Sequence, residues 1–356
     1  MDIANDSTNR LTRSVQPAGR RRRWRSPALG LLAGAAMVLS ACGSGGDSGG
    51  GSGAADYPDA PITIVVPFSA GGPTDTVTRL VAEPMGKELG QNIVVQNVEG
   101  AGGTVAAGQV ANAKGDGYTV LMHHIGMSTA PSLYADLAYK PLDDFKTIGL
   151  VTNVPMTIIA NKDFEPTTLE ELVTYLKENS EDVTLAHAGI GAASQLCGLL
   201  IEKAVGVDLT EVPYDGTGPA LTDLVGGQVD FMCDQTTNTT GQIQAGKVKA
   251  YGVTTPERIE SLPDLPTTAE AGLEGVEVGV WHGIYAPSET PDEVVKALTD
   301  ALGAALKDPS VTEEFAKLGT APVSAEEATP EAHTKLLEGQ IELWKPIIEA
   351  AGVKGS

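Results

Sequence analysis

The stretch PFSAGGPTD at 67–75 is the first candidate for chemistry, because its glycine-rich turn follows the apolar run ITIVV and opens a predicted helix. Free N–H groups at a helix N-terminus carry partial positive charge and bind anions. Three further junctions share this design: GAGGT at 100–104, GIGAAS at 189–194 and GTGPA at 216–220. Each follows a predicted strand, and open α/β sheets bind ligands at the carboxyl ends of their strands. We therefore expect these junctions to line one anion-binding cleft.

Nucleotide phosphates do not fit these junctions. The chain has no G-x-x-x-x-G-K-[ST] loop, and the turn at 100–104 lacks both the small third residue and the downstream acid of a dinucleotide fingerprint. The formal net charge of −22 also disfavours nucleic acids, since an acidic protein repels phosphates. A carboxylate is the anion that we expect instead.

Patterns typical of enzymes and metal sites are sparse. No G-x-S-x-G, HExxH or CxxC motif occurs. His123 and His124 are adjacent in a predicted strand, so we expect their side chains on opposite faces, without a shared metal. Asp75 and Asp234 could form an acid–base pair, but an acid in the first turn of a helix more often stabilises that helix. We expect a binding protein without cofactor or metal, and a secreted hydrolase is the weaker alternative.

The first 56 residues are typical of an exported lipoprotein. An arginine cluster precedes the twelve-residue apolar run ALGLLAGAAMVL, which is too short to span a bilayer of about 30 Å but suits a signal peptide. LSAC then ends at Cys42, and a Gly/Ser-rich stretch follows. We predict a signal peptide over 1–41, acylation of Cys42, a tether over 42–56, and anchoring at the outer face of the cytoplasmic membrane. General secretion and twin-arginine export both stay open.

Strand-like and helical segments alternate from Tyr57 onward. Runs rich in β-branched residues, such as 62–66 and 118–124, are separated by amphipathic stretches such as 168–179 and 291–307. Such alternation predicts an α/β fold with mostly parallel strands, and the length of the segment favours two lobes. Cys197 and Cys233 form an even pair in an exported protein, and the residues alone leave open a disulfide bond or two buried thiols.

Long stretches of the chain resemble the Bug-type solute receptors of tripartite tricarboxylate transporters. In order they are PFSAGGPTDTVTRLVAEPMGKELGQNIVVQN, GAGGTVAAGQVANAKGDGYTVLM, VPYDGTGPALTDLVGGQVDFMCDQ, GVTTPERIESLPDLPTTAEAGL and WHGIYAPSETP. The resemblance implies a type II periplasmic-binding-protein fold, in which two α/β lobes joined by two crossing strands close on a ligand. It places lobe 1 at 57–156 and 282–356, and lobe 2 at 157–281.

The resemblance also implies the function. Such receptors are monomers that capture a small carboxylate for membrane permease subunits, largely through backbone amides and ordered water. The ligand classes are di- and tricarboxylates, acidic amino acids and aromatic acids. An envelope receptor that signals to a partner would have the same cleft, so this alternative stays open. Ser69-Ala70 replaces two prolines, and His123-His124 stand where smaller residues are usual, which leaves the ligand undetermined.

Carried over position by position, the resemblance gives ligand-binding residues in both lobes. It also favours a disulfide bond between Cys197 and Cys233, whose segments flank the cleft. Because an ionised carboxylate cannot donate to Asp75, this residue should bind an amine, a water or a backbone N–H. The expected residues of lobe 1 are Phe68, Gly71, Gly72, Thr74, Asp75, Met127, Ser128 and Thr129. Those of lobe 2 are Gly189, Ile190, Gly191, Ala192, Ser194, Tyr214, Thr217 and Asp234.

Overall fold

A computed structural model describes residues 57–355. The predicted signal peptide, the acylation site Cys42 and the tether lie outside the described residues. Within 57–355, no helix combines the length and the apolar character that crossing a membrane requires.

Strands and helices alternate along the described residues, as the sequence pattern predicts. The strands are Ile62–Val66 (β1), Ile93–Asn97 (β2), Thr119–His124 (β3), Phe145–Asn161 (β4), Thr184–His187 (β5), Thr210–Pro213 (β6), Phe231–Gln235 (β7), Val248–Val253 (β8) and Gly279–Pro287 (β9). The α-helices are Pro73–Leu89 (α1), Thr104–Ala111 (α2), Gly126–Leu133 (α3), Leu169–Asn179 (α4), Ala193–Val205 (α5), Thr217–Val225 (α6), Thr236–Gln244 (α7), Asp292–Ala305 (α8), Pro309–Lys317 (α9) and Pro330–Ala351 (α10).

The strands form one sheet in the order β2-β1-β3-β9-β4-β7-β5-β6, and β8 also pairs with β4. The 17-residue strand β4 joins its two parts, because residues 145–155 pair with β9 whereas 156–161 pair with β7 and β8. The first lobe thus contains β1 to β3, and the second contains β5 to β8. The expectation of mostly parallel strands is wrong at the centre of the sheet, where every partner of β4 and β9 runs antiparallel.

Each lobe buries its own apolar layer between sheet and helices. In the first lobe, Ile64 and Val66 of β1 are fully buried against Val77 and Val81 of α1. Pro73 at the first position of α1 and the left-handed Gly90 after its last turn fix where this helix starts and stops. The helix therefore begins directly above the end of β1, with its free N–H groups at the edge of the sheet.

A disulfide bond between Cys197 and Cys233 fastens α5 to β7 in the second lobe. The two cysteines are 36 positions apart, and both are completely buried. Because Asp234 follows Cys233 directly, the bridge also holds the end of β7 in place beneath the start of α5.

Reduction of this bridge should destabilise the fold. Closing a loop of this length lowers the entropy of the unfolded chain, and its loss costs about 4 kcal/mol in the chain-entropy model. We expect urea unfolding of the wild type to shift by this amount on adding reductant. A protein with both Cys197→Ala and Cys233→Ala should not respond to reductant, and equal responses of the two proteins would contradict the assignment.

Candidate functional site

N-terminal ends of helices from both lobes meet at one cleft. In the first lobe, α1 follows β1 and α3 follows β3, and in the second lobe α5, α6 and α7 follow β5, β6 and β7. The Thr129 hydroxyl in α3 donates to the Gly191 carbonyl before α5 (3.1 Å), and α1 contacts α7. Such helix ends carry partial positive charge, so together they favour an anion in the cleft.

The two lobes are in direct contact around this cleft. The Ser69 N–H donates to the Asp215 carbonyl (3.1 Å), and the Tyr134 hydroxyl donates to the Ile190 carbonyl (2.9 Å). The Phe68 side chain packs on Ala188 and Ala192 across the same gap. The structure is therefore a closed arrangement of the lobes.

Glycine is required where the backbones of the two lobes approach each other. A Cβ atom at Gly102 would lie 2.1 Å from the Ile190 carbonyl oxygen, and Gly102 also has a left-handed φ of 60°. A Cβ atom at Gly216 would lie 2.0 Å from Ser69 Oγ. Both distances are far below van der Waals contact, so larger residues at these turns would hold the lobes apart.

Most glycine N–H groups that the sequence offered as anion ligands already have protein acceptors. The N–H of Gly71 donates to Asp75 Oδ2 (2.9 Å), that of Gly189 to His187 Nδ1 (3.1 Å), and that of Gly191 to Gln195 Oε1 (3.2 Å). The first turns of α1 and α5 differ. Within residues 57–355, no acceptor faces the N–H groups of Thr74, Asp75, Ser194 and Gln195, which we call the inner seat.

Asp75 shapes the turn that precedes α1. Its Oδ2 atom accepts from the Gly71 N–H and from Arg79 Nε (2.9 Å each), and its Oδ1 atom accepts from Asn97 Nδ2 (3.0 Å). Asn97 Nδ2 also donates to the Phe68 carbonyl (2.9 Å). Burial alone raises the pKa of Asp75, but the hydrogen bonds from Arg79, Gly71 and Asn97 together lower it below its usual value. The Asp75 carboxylate is thus ionised, and both of its oxygen atoms already accept hydrogen bonds from the protein.

Asp234 is a completely buried carboxylate in the second lobe. Its Oδ1 atom accepts from the Gln235 N–H (2.8 Å), and its Oδ2 atom accepts from Asn238 Nδ2 (2.5 Å). Burial raises its pKa to about 6, although hydrogen bonds from Asn238, Gln235 and Thr217 act in the opposite direction. Because the groups that donate to Asp234 carry no charge, the positive N-terminal ends of α6 and α7 stabilise its ionised form.

Three histidines form the floor beneath the first-lobe part of the cleft. The prediction that His123 and His124 point to opposite faces is wrong: their rings lie 5.1 Å apart, because the chain turns into α3 directly after β3. Phe68 stacks on His124 (4.7 Å), and His282 Nε2 lies 3.3 Å from Thr74 Oγ1. Burial lowers the pKa of His123 to about 4 and that of His282 to about 3, so both are neutral near pH 7.

No metal centre accompanies these side chains in the part of the chain that the structure describes. Within it, no group of three or more His, Cys, Asp or Glu residues could hold a metal ion. The imidazoles therefore act through packing and hydrogen bonds.

A cavity of about 360 Å³ opens between the lobes beside the inner seat, and we call it the outer cavity. Four of the expected residues line it, namely Phe68, Gly189, Ile190 and Tyr214. Its other lining residues are the turn 100–103, Tyr134, Ala188, Pro213 and Asp215. The glycine-rich sequence marked the turn at 100–103 as a junction, but no sequence signal indicated Tyr134.

The remaining expected residues lie deeper or face elsewhere. Met127 belongs to the hydrophobic core, and the Ser128 hydroxyl donates to the Ile125 carbonyl within the start of α3 (2.6 Å). Ser194 Oγ accepts from the Ala188 N–H (2.9 Å). Gly72, Thr74, Asp75, Thr129, Ala192, Thr217 and Asp234 are buried where the lobes meet or beneath that contact.

Comparisons with known proteins agree with this geometry. Residues 77–353 match the family described as "Tripartite tricarboxylate transporter family receptor". The structure of the periplasmic binding protein BugD is 52% identical, covers 84% of this chain and 99% of its own, and superposes with a TM-score of 0.82. MatC from Rhodopseudomonas palustris with bound malate is 42% identical over 82% of this chain and 100% of its own, with a TM-score of 0.80.

A third similar structure carries a longer ligand. It is an R. palustris protein with adipate, 31% identical over 84% of this chain and 99% of its own, with a TM-score of 0.80. The periplasmic-binding-protein fold and the solute-binding family expected from the sequence are confirmed by these matches.

Substitution of Asp75 should loosen the turn before α1. Asp75→Asn removes the charge that pairs with Arg79 and replaces one acceptor oxygen by an NH2 group that faces three existing donors, so we expect a loss of about 1–3 kcal/mol of unfolding free energy. Asp292→Asn is the matched control, because Asp292 pairs with Lys146 at a position 94% exposed, where water screens the pair, and this substitution should cost clearly less than Asp75→Asn. Equal losses in urea unfolding would refute this role of Asp75.

Asp234 should make stability depend on pH. Its pKa is about 6 in the folded protein against the ordinary value of 3.8 for an aspartate, so the folded state binds the extra proton between these values. The stability of the wild type relative to Asp234→Asn should therefore fall by about 2 kcal/mol from pH 4 to pH 7. Thermal or urea unfolding of both proteins across this range measures it. If the difference in unfolding free energy between the two proteins stays constant or grows with pH, the pKa of Asp234 is not raised in the folded protein.

Proposed function

Because the chain belongs to the family of tripartite tricarboxylate transporter receptors, which are solute-binding and non-enzymatic, we propose that it captures a small dicarboxylate for the permease subunits of such a transporter. The observation that carries this proposal is the inner seat. There, N–H groups without an acceptor among residues 57–355 stand at the starts of α1 and α5, which belong to different lobes and come together where Phe68 packs on Ala192. Two separated groups of donors fit two carboxylates of one ligand.

The inner seat would hold the anion without a cationic side chain. Arg79 is committed to Asp75, and no Lys or Arg among residues 57–355 lines the outer cavity. Each hydrogen bond from an N–H group to an ionised carboxylate is worth about 1.5–3 kcal/mol, and the helix dipoles add to it. Four such bonds would supply about 6–12 kcal/mol, from which the ordering costs of association are subtracted.

The size of the ligand is inferred from the relatives. MatC holds malate and the second R. palustris protein holds adipate, so dicarboxylates of different lengths fit this fold. We infer a dicarboxylate for this chain as well, and tricarboxylates, acidic amino acids and aromatic acids are the competing classes. Of the expected residues, Thr74 and Ser194 would bind through their N–H groups, and the glycines of the turns would permit closure.

Release of the ligand would require the lobes to separate. We propose that 57–156 with 282–356 moves against 157–281 about the crossing strands β4 and β9. Opening would break the bonds from Ser69 to Asp215, from Tyr134 to Ile190 and from Thr129 to Gly191. The permease would recognise the surface that the two lobes present together in the closed, ligand-bound state. We further propose that acylated Cys42 anchors the receptor at the outer face of the cytoplasmic membrane.

Thermal unfolding with a panel of acids tests the proposed function. The protein is first unfolded and refolded to remove carried-over ligand, then mixed with succinate, malate, adipate, citrate, aspartate or benzoate. A dicarboxylate at 100 times its Kd should add about 2.7 kcal/mol and raise Tm by several degrees. The diamide of the same acid, which has no charge, should give no shift. A shift from the diamide equal to that from the acid, or no shift from any acid, would refute carboxylate capture.

A further inference from the structure

The outer cavity is a space that the inner seat does not use. It lies between the turn 100–103 of the first lobe and residues 213–215 of the second, with a volume of about 360 Å³. Phe68, which precedes the turn into α1, and Gly189, which precedes α5, both line the outer cavity, and Phe68 also packs on Ala192 at the start of α5. The cavity therefore adjoins the turns that lead to both halves of the inner seat. Pockets for small ligands typically begin at this volume.

Apolar side-chain surfaces make up part of the walls of the outer cavity. They come from Phe68, Tyr134, Ile190, Pro213 and Tyr214. Both tyrosine hydroxyls already have acceptors, since Tyr134 donates to the Ile190 carbonyl (2.9 Å) and Tyr214 to Asp223 Oδ2 (2.8 Å). The rings are therefore available for contact, whereas their polar ends are occupied.

The charge of the lining residues disfavours a further carboxylate. Asp215 is the ionisable acid among them, its side chain is exposed at the rim, and no Lys or Arg lines the cavity. A carboxylate placed there would lose water and face a like charge, which costs free energy. An alkyl or aryl group would instead gain by leaving water.

We propose that the outer cavity is a second subsite, which takes an apolar substituent on the carbon chain of the dicarboxylate held in the inner seat. This inference rests on the proposed function and adds the class of ligand, a short dicarboxylate with an alkyl or aryl branch. The wall residues of both lobes would determine which substituent fits the subsite. Ala101 stands at the rim of the cavity and has a left-handed φ of 46°.

Three acids with the same core test the proposal by isothermal titration. Succinate has no branch, phenylsuccinate adds a phenyl group, and tricarballylate adds a third carboxylate. We expect the wild type to bind phenylsuccinate at least as tightly as succinate, and tricarballylate about tenfold more weakly than phenylsuccinate. Tricarballylate binding more tightly than phenylsuccinate would overturn the proposal.

Filling the cavity provides the second measurement. Ala101→Phe should weaken phenylsuccinate about tenfold and leave succinate within about twofold, because the new ring occupies the branch position. Ala101→Gly is the matched control and should leave both affinities unchanged, since it keeps the turn and adds no volume. Equal effects of Ala101→Phe on both acids would overturn the proposal.

The charge of the rim provides an independent check if Ala101→Phe does not fold. Asp215→Asn removes the like charge and keeps the backbone bond from Ser69, so the preference for phenylsuccinate over tricarballylate should shrink about threefold or more. An unchanged preference would overturn the proposal. Failure of all three acids to bind would refute the proposed function itself. If succinate binds but the affinities for phenylsuccinate and tricarballylate do not respond to these variants, the subsite alone is refuted.

Discussion

Close approach of backbones across the cleft is the constraint on which the rest of this structure depends. Gly102 and Gly216 occupy positions where a Cβ atom would lie about 2 Å from atoms of the opposite lobe. Because no side chain intervenes, the starts of α1 and α5 can face the same small volume. In the proposed function, their N–H groups would replace the cation that a buried anion otherwise requires. Closure and the proposed recognition would thus have one physical origin.

Two buried carboxylates border this volume, and each is satisfied by donors of its own lobe. Asp75 binds the Gly71 N–H and Arg79, and Asp234 binds the Gln235 N–H and Asn238. Both are charges of the same sign as the proposed ligand. Arg79 offsets the charge of Asp75, while the buried Asp234 has no ionic partner and its pKa rises to about 6. A ligand of this charge would share the positive helix ends with these two carboxylates.

Local sequence predicted the junctions of this fold, because proline and glycine at Pro73, Gly90 and similar sites act within a single turn of chain. It failed where tertiary contacts decide. The helix α7 has the sequence TTNTTGQIQ, which is poor in helix formers, yet the Thr239 hydroxyl bonds that of Thr157 in β4 (2.8 Å). The side-chain directions of His123 and His124 were predicted wrongly, because the strand pattern does not show that the chain turns into α3 directly after β3. In the candidate site, the glycine turns were visible in the sequence, but the rim residue Tyr134 was not.

The proposed recognition by backbone amides would limit how such a receptor can diverge. Every residue except proline presents the same N–H group, so exchanging side chains at the starts of α1 and α5 alters little of what a bound anion meets. New selectivity would have to arise from residues at the rim, such as Tyr134, Pro213 and Asp215, or from turns that change in length. Divergent descendants of this chain would then keep an almost unchanged binding surface for the acid groups. Substitutions that change the ligand would accumulate among the residues around the entrance of the cleft.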